Sequence, residues 1–446
     1  MSPKSGCPHA GHSGNGQAIS QPDGWTFRKR HDVLGHHDGG RHGSDGPGKH
    51  QPHDPAQEVP LGVLAMLEGK SFNGKGLNMI FRPNSGPPPL GTQFPKPVDP
   101  APPTGTSDNV LELNLFVETL TFGKAVGAVP NRGFSSQGDI NLNAIQYLQT
   151  IADVTNPRTG RADGDPAGHG IHVENGMFMH VPGTGVNPKL GETIVRCGTI
   201  PHGVAINLQG LESGPLNPST VVAGAPAVPR IDPTPFVAGQ PDAQANQVRF
   251  PSQTAAAEGT PRIPQDLSLF IKHGTITQAV LDDPAVLLTE ANRTRNIIRT
   301  QVLDMSSTAR TGIKTGGGVL GNAFLDGDLQ PDGTAAAPNA RPVQVEFTLY
   351  VETVQYEVPV PAFHPGHGHD YVEHEHEGIK FRFFPPREVA RHGRRMTVNV
   401  TELQYTQIVM LQFGGLTWPH PTVSTLKPEV WVVEAGDAAW REWREW

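Results

Sequence analysis

Four short stretches hold the side chains best suited to chemistry. The first is GHGIHVENGMFMHVP, residues 168–182. In an extended strand, alternation puts His172, Glu174, Gly176 and Phe178 on one face. A carboxylate beside an imidazole can orient it for a metal or keep it charged. The same two residues also suit a hydrogen-bonded strand pair at a barrel mouth. The second is ETIVRCGTIPHGVAINLQG, 192–210, in which His202 falls at a sharp bend between two strands. Ligand-contacting residues often lie at such bends, and so do turn histidines facing water. The third is GGLTWPHPTVSTL, 414–426, with His420 between two prolines and beside Trp418. A stiffened imidazole next to an aromatic suits an axial ligand to haem iron, and equally a stiff barrel-closing turn. The fourth is FHPGHGHDYVEHEHEG, 363–378. It carries His364, His367, His369, His374 and His376 among Asp370, Glu373, Glu375 and Glu377. That density makes Zn, Ni or Cu binding chemically feasible. The cysteines of a structural zinc site are missing, and the glycines and charges also read as a solvated hairpin loop.

Other signatures are absent. No GxSxG elbow, phosphate-binding GxxxxGK[ST], HExxH or EF-hand loop occurs. The two cysteines, Cys7 and Cys197, cannot make a disulfide framework, and Cys197 reads as a small core residue in a strand. A formal charge of -8 gives no electrostatic drive toward nucleic acid. No apolar run approaches the roughly 20 residues of a membrane span. The N-terminus lacks the apolar core of a secretory signal, so a cytoplasmic, reducing location is expected.

These residues need elements to position them. Gly (52) and Pro (44) make up about one residue in five of the 446, which predicts short strands and many turns rather than helices. Residues 1–59 form a Gly/His-rich arm holding eight of the twenty histidines, with too few apolar residues for a core. Residues 60–210 alternate with period two, which predicts a first barrel or sandwich. Residues 211–265 read as a Pro/Ala-rich connection. Residues 266–430 open with one short helix near Asp283 and Pro284 and continue as strands, a second barrel. Residues 431–446 form a Trp-rich tail in which Asp437 could cap a short helix and Trp440, Trp443 and Trp446 recur at i, i+3. Such a helix docks on its own domain or buries its indoles against another subunit.

One strand pattern recurs: LELNLFVETLTF (111–122), VEFTLYVETVQY (345–356) and MTVNVTELQY (396–405). In each, apolar alternation changes phase at the same place. An extra residue at a β-bulge would cause that change and help curl the sheet, which points to two related barrels from duplicated material.

The segments LEGKSFNGKGLNMIFRP, LNLFVETLTF, HVENGMFM and NLQG, in that order over about 61–210, resemble the nitrobindin-like relatives of the lipocalin and fatty-acid-binding barrels. Phe72 stands where that family has Trp. The ending TELQYTQIVMLQFGGLTWPHPTVSTL is similar to larger two-barrel bacterial and fungal relatives. The resemblance implies antiparallel barrels with apolar interiors and haem b, or another large hydrophobic small molecule, as ligand. In that reading His202 and His420, late in each half, are the imidazoles to test, with His172, Glu174 and Trp418 nearby. Peroxidase-like or nitrogen-oxide chemistry would follow. The alternative is a non-enzymatic assembly protein that forms a homo-oligomer through its arm and tail.

Overall fold

The computed structural model describes residues 59–82, 110–184, 189, 191–200, 203–211, 220–308, 317–322, 325, 340–362, 371–385, 393–437 and 439–440. His202, His364, His367, His369, Trp443, Trp446 and the arm up to residue 58 lie outside these described residues. No described helix is long and apolar enough to cross a membrane.

Ten strands build one closed antiparallel barrel. They are β1 (Ser71–Arg82), β2 (Val110–Ala125), β3 (Ile140–Asp153), β4 (Gly170–Val181), β5 (Thr193–Ile200), β6 (Val204–Leu211), β7 (Ile297–Ser306), β8 (Arg341–Val360), β9 (Arg394–Phe413) and β10 (Leu416–Pro428). Each pairs with its neighbour in sequence, so the barrel is a plain up-and-down meander. β1 closes on β10 from Phe72↔Pro428 to Asn78↔Thr422. The seam between β6 and β7 is much shorter, a single pair at Ser306↔Gln209. There the strand edges are covered separately. Thr220–Ala223 lies on β7 and Gly318–Gly321 on β6. Closure leaves no long row of unpaired backbone groups. This form is consistent with a lipocalin-like barrel.

The strands expected to form two barrels form one closed barrel instead. Among the described residues a second barrel is not shown. The later strands β7–β10 complete the wall that β1–β6 begin. Six strands of this curvature leave two open edges, and the four later strands pair with both of them.

Three cores result. The barrel interior holds Phe72, Leu120, Phe122, Tyr147, Phe178, Leu349, Phe347, Leu403 and Tyr405. The 3-10 turn Gly62–Met66 adds Val63 and Leu64 to this core. A second core lies on the outer face of β1 and β2, under the short helices Ser268–His273, Gln278–Asp282 and Val286–Asn292. The expected helix after Asp283 is the last of these, and the Asp283 carboxylate accepts from the N–H groups of Ala285 and Ile231. Beside them Arg262 is buried and donates to the carbonyls of Ser252, Thr254, Ala255, Ala257 and Gln265, which organises that irregular stretch. In the third core, the far halves of β8 and β9 run past the barrel. They pack on a three-stranded sheet of Val372–His376, Ile379–Phe383 and Val430–Val433. Trp440 is buried here, edge-on to Phe383.

These cores explain the repeated strand. β2 faces the outer core with Leu111, Leu113 and Leu115, then the interior with Leu120 and Phe122. β8 faces the interior through Val351 and the third core from Val354. β9 makes the reverse passage, from Val400 to Leu403. The β1–β2 and β8–β9 ladders run unbroken through these places. The β7–β8 ladder shifts register between Ile297 and Arg299, opposite Thr353 and Val354, but the extra residue lies on β7, so no bulge in the repeated strands causes the change. The apolar environment changes sides of the strand instead. The carboxylates at the crossover, Glu118, Glu352 and Glu402, are all buried.

Residues 414–426 are a strand rather than a turn after Gly414-Gly415. Those two glycines alone make the reversal, both at positive φ. Pro419 and Pro421 are tolerated in β10 because its β1 partner ends at Asn78↔Thr422, just before them.

Candidate functional site

The barrel carries a layer of polar side chains across its apolar interior. Alternation on β4 points His172, Glu174, Gly176 and Phe178 inward, as the sequence pattern requires. Glu174 is fully buried and accepts from Arg196 Nη2 at 2.8 Å, from the Tyr147 hydroxyl, and from His172 Nε2 at 3.3 Å. Arg196 also donates from Nη1 to Gln407 at 2.8 Å and from Nε to the Tyr147 oxygen at 3.2 Å. Its guanidinium lies 4.1 Å from the ring centre of Phe347. Burial alone would raise the Glu174 pKa, but Arg196, His172 and Tyr147 overcome it and hold the carboxyl at about 2.

Two glycines make room for this group. A Cβ on Gly198 would stand 2.3 Å from the Tyr147 oxygen and 2.6 Å from Glu174. A Cβ on Gly176 would stand 2.9 Å from the Tyr147 ring and 2.0 Å from the Cys197 carbonyl oxygen.

The second half of the layer centres on Glu118. It accepts from Gln149 Nε2 at 2.6 Å and from the Tyr405 hydroxyl at 2.9 Å. Burial pushes its pKa up, against the opposing hydrogen bonds of Ser424, Gln149 and Tyr405. The layer therefore joins the two halves of the chain. Glu118, Tyr147, Glu174 and Arg196 come from β2–β5, and Tyr405, Gln407 and Ser424 from β9 and β10. Sequence reasoning found His172 and Glu174 and missed the rest. The detectable signal was a charged residue inside an otherwise apolar alternation, as at Glu118 and Arg196.

A related cluster lies outside the barrel wall. Glu352 and Glu402 are direct cross-strand neighbours, both fully buried. Arg295 bonds both, reaching Glu402 at 2.7 Å, and the Tyr356 hydroxyl donates to Glu402. Burial, with Glu402 adding to it and Arg295 opposing, raises Glu352 to about 7.

His420 and Trp418 lie apart from the polar layer's ion pair, near the start of β10. Trp418 is fully buried, stacked on Phe413 at 4.7 Å and packed against Phe81 and Phe250. Its indole N–H donates to the Phe413 carbonyl at 2.9 Å. His420 is buried and its Nε2 accepts from the Phe81 N–H at 3.1 Å. Burial lowers its pKa to about 3, so it is neutral. This stability is complete above pH 6.5 and is lost as pH falls toward 3, by about 1.4 kcal/mol per unit. His420→Gln keeps an acceptor for Phe81 and removes the titration. Its acid-unfolding midpoint, followed by circular dichroism, is expected to move to lower pH, and an unmoved midpoint refutes the assignment.

These placements bear on iron ligation. Haem would need an open imidazole nitrogen beside a space for the porphyrin. His420 Nε2 is already engaged by backbone, His172 Nε2 is bonded to Glu174, and aromatic side chains with Arg196 fill the barrel interior. Neither His420 nor His172 fits an axial ligand as it stands.

In the His-rich segment, Val372–His376 and Ile379–Phe383 form a hairpin. Glu377 and Gly378, both at positive φ, make its two-residue turn. The rings of His374 and His376 stack at 6.3 Å, and His376 meets Tyr356 edge-on. Among the described residues no group of three or more potential metal ligands stands together.

The chain matches no protein-family model, no curated protein and no solved structure, and the closed ten-strand barrel with its buried polar layer is what characterises it.

Proposed function

We propose that this chain is a non-enzymatic barrel scaffold, one whose interior serves its own stability and whose work is done at its outer surfaces. The observation that carries the reading is the mutual engagement of the buried charges. Arg196 is committed to Glu174 and Gln407, and Glu118 to Gln149 and Tyr405. A substrate reaching these groups would have to displace bonds made in a low-dielectric interior, where each is strong. Assembly through the arm and the Trp tail belongs to this reading. Mass photometry of the full chain, against variants lacking 1–59 or 441–446 so that the buried Trp440 is kept, tests it: a higher-order species that dissociates on either deletion is expected. A monomer in all three samples overturns the assembly role.

A second reading, a nitrobindin-like barrel binding haem or another large apolar ligand, is favoured by the up-and-down ten-strand topology and the 3-10 turn packed into the interior. It requires the interior side chains to rearrange. Titration of haem into the purified protein decides between the two. A saturable Soret band lost in His420→Ala or His172→Ala supports haem, and its absence removes it. The same titration settles whether peroxidase-like chemistry has a cofactor to run on. Metal binding at the 363–378 segment is tested by calorimetry with Zn²⁺ or Ni²⁺ on a segment-deleted variant, where unchanged stoichiometry removes it.

A further inference from the structure

A groove of about 420 Å³ separates the chain entering β1 from the last strand of the small sheet. Lys70, Ser71, Arg382, Glu429 and Trp431 line it. Lys70 is half-buried, and its Nζ donates to the Met66 carbonyl at 2.9 Å. The same ammonium stands 5.7 Å from the centre of the Trp431 ring. Among the described residues no carboxylate comes within ion-pair distance of it. Glu68, whose charge acts on it, is occupied in accepting from the Ala125 N–H at 3.0 Å, and Glu429 lines the groove as well. Lys124 adds positive charge alongside, its Nζ 3.0 Å from the position a Gly69 Cβ would take. Arg382 lines the groove too, its charge answered by Glu373 at 2.6 Å.

The backbone contributes as well. Val430–Val433 is the edge strand of its sheet. The carbonyls of Glu429 and Val433 point to the neighbouring strand, where they accept from Lys380 and Phe384. Strand geometry then turns the N–H and C=O groups of Val430 and Val432 the other way, to the free edge that lines the groove, where the N–H groups are open to an acceptor.

We propose that this groove is a binding site for a small organic anion, a carboxylate or phosphate carried on a flat apolar body. The Lys70 ammonium and the edge N–H groups take the anion, and the Trp431 ring takes the flat part. This assignment is independent of what the barrel interior holds.

Calorimetric titration of the full chain with 2-naphthoate tests it, beside neutral 2-naphthalenemethanol and inorganic phosphate. One saturable site for 2-naphthoate is expected, with at least tenfold weaker binding of the neutral analogue. Lys70→Met and Trp431→Leu should each weaken binding at least tenfold, and Lys70→Arg should retain most of it. Lys70→Met should melt near the parent temperature, which separates lost recognition from lost folding. Absence of saturable 2-naphthoate binding, or undiminished binding by Lys70→Met, overturns the site. Phosphate binding as tightly as 2-naphthoate overturns the part assigned to Trp431.

Discussion

Replacing Arg295 with Met is expected to lower the unfolding free energy by about 3–5 kcal/mol at pH 8, the usual cost of leaving a buried charge without its partner. The reason is the pair it leaves behind. Glu352 and Glu402 face each other across β8 and β9, both fully buried, and Arg295 is the cation that bonds them. Without it two like charges share one apolar site, and one must take up a proton. The loss should therefore shrink as pH falls. Even in the parent protein Glu352 is raised to about 7 from 4.5. A raised carboxyl binds its proton more tightly folded than unfolded. It favours the fold below about 4.5, and that contribution is lost as pH rises to about 7. Denaturant titrations at pH 5 and pH 8 read both effects. Arg295→Met with an equal loss at the two pH values would show that the carboxylates do not govern the site. Glu352→Gln in the parent background is the control, and above pH 7 it should cost far less than Arg295→Met.

Arg196→Met is expected to cost a similar amount, about 3–5 kcal/mol, for the same physical reason placed inside the barrel. Glu174 would keep only the Tyr147 hydroxyl and His172 as partners. The pH sign is opposite to that of Glu352. Glu174 is held near 2, below its ordinary 4.5, so its contribution is complete above pH 4.5 and is lost as pH falls toward 2. Removing Arg196 should flatten that acid limb. Glu174→Gln alone should also destabilise, because it strands the guanidinium. The double variant Arg196→Met with Glu174→Gln should recover part of the loss, and the coupling energy from the cycle measures the pair. Additive single losses would mean that the two groups do not act as a unit. Because Arg196 also reaches Gln407 on β9, its removal should loosen the joint between early and late strands. Hydrogen exchange in β5 and β9 reads this directly.

Much of the architecture was legible in local pattern. Period-two alternation located the strands around Val110–Phe122, Ile171–Val181 and Val343–Val360, because side chains on a strand must divide between two faces. The pairing of His172 with Glu174 followed from the same alternation, being two positions apart on one face. The turn at Glu377-Gly378 was readable in kind, as a hairpin. The repeated VET and TEL strands were correctly singled out, yet their phase change has a different origin from a bulge. A sequence shows that apolar residues switch parity. It cannot show whether the backbone slips or the buried side changes, since both leave the same pattern. Only the three cores on alternate sides of β2, β8 and β9 resolve it.

By itself, then, the sequence determined strands, turns and the mainly antiparallel β class, because these depend on interactions within a few residues. It also placed His172 and Glu174 together on one strand face. Tertiary structure decided that the two halves share one barrel, because closure depends on which distant edges meet: β1 with β10, and β6 with β7. It decided which cation answers each buried carboxylate, Arg196 for Glu174 and Arg295 for Glu352 and Glu402. It also turned His420 from an open imidazole into an acceptor for Phe81, 339 residues away along the chain. No local pattern encodes such pairs, because partners far apart in sequence are selected only when the sheet closes and removes them together from water.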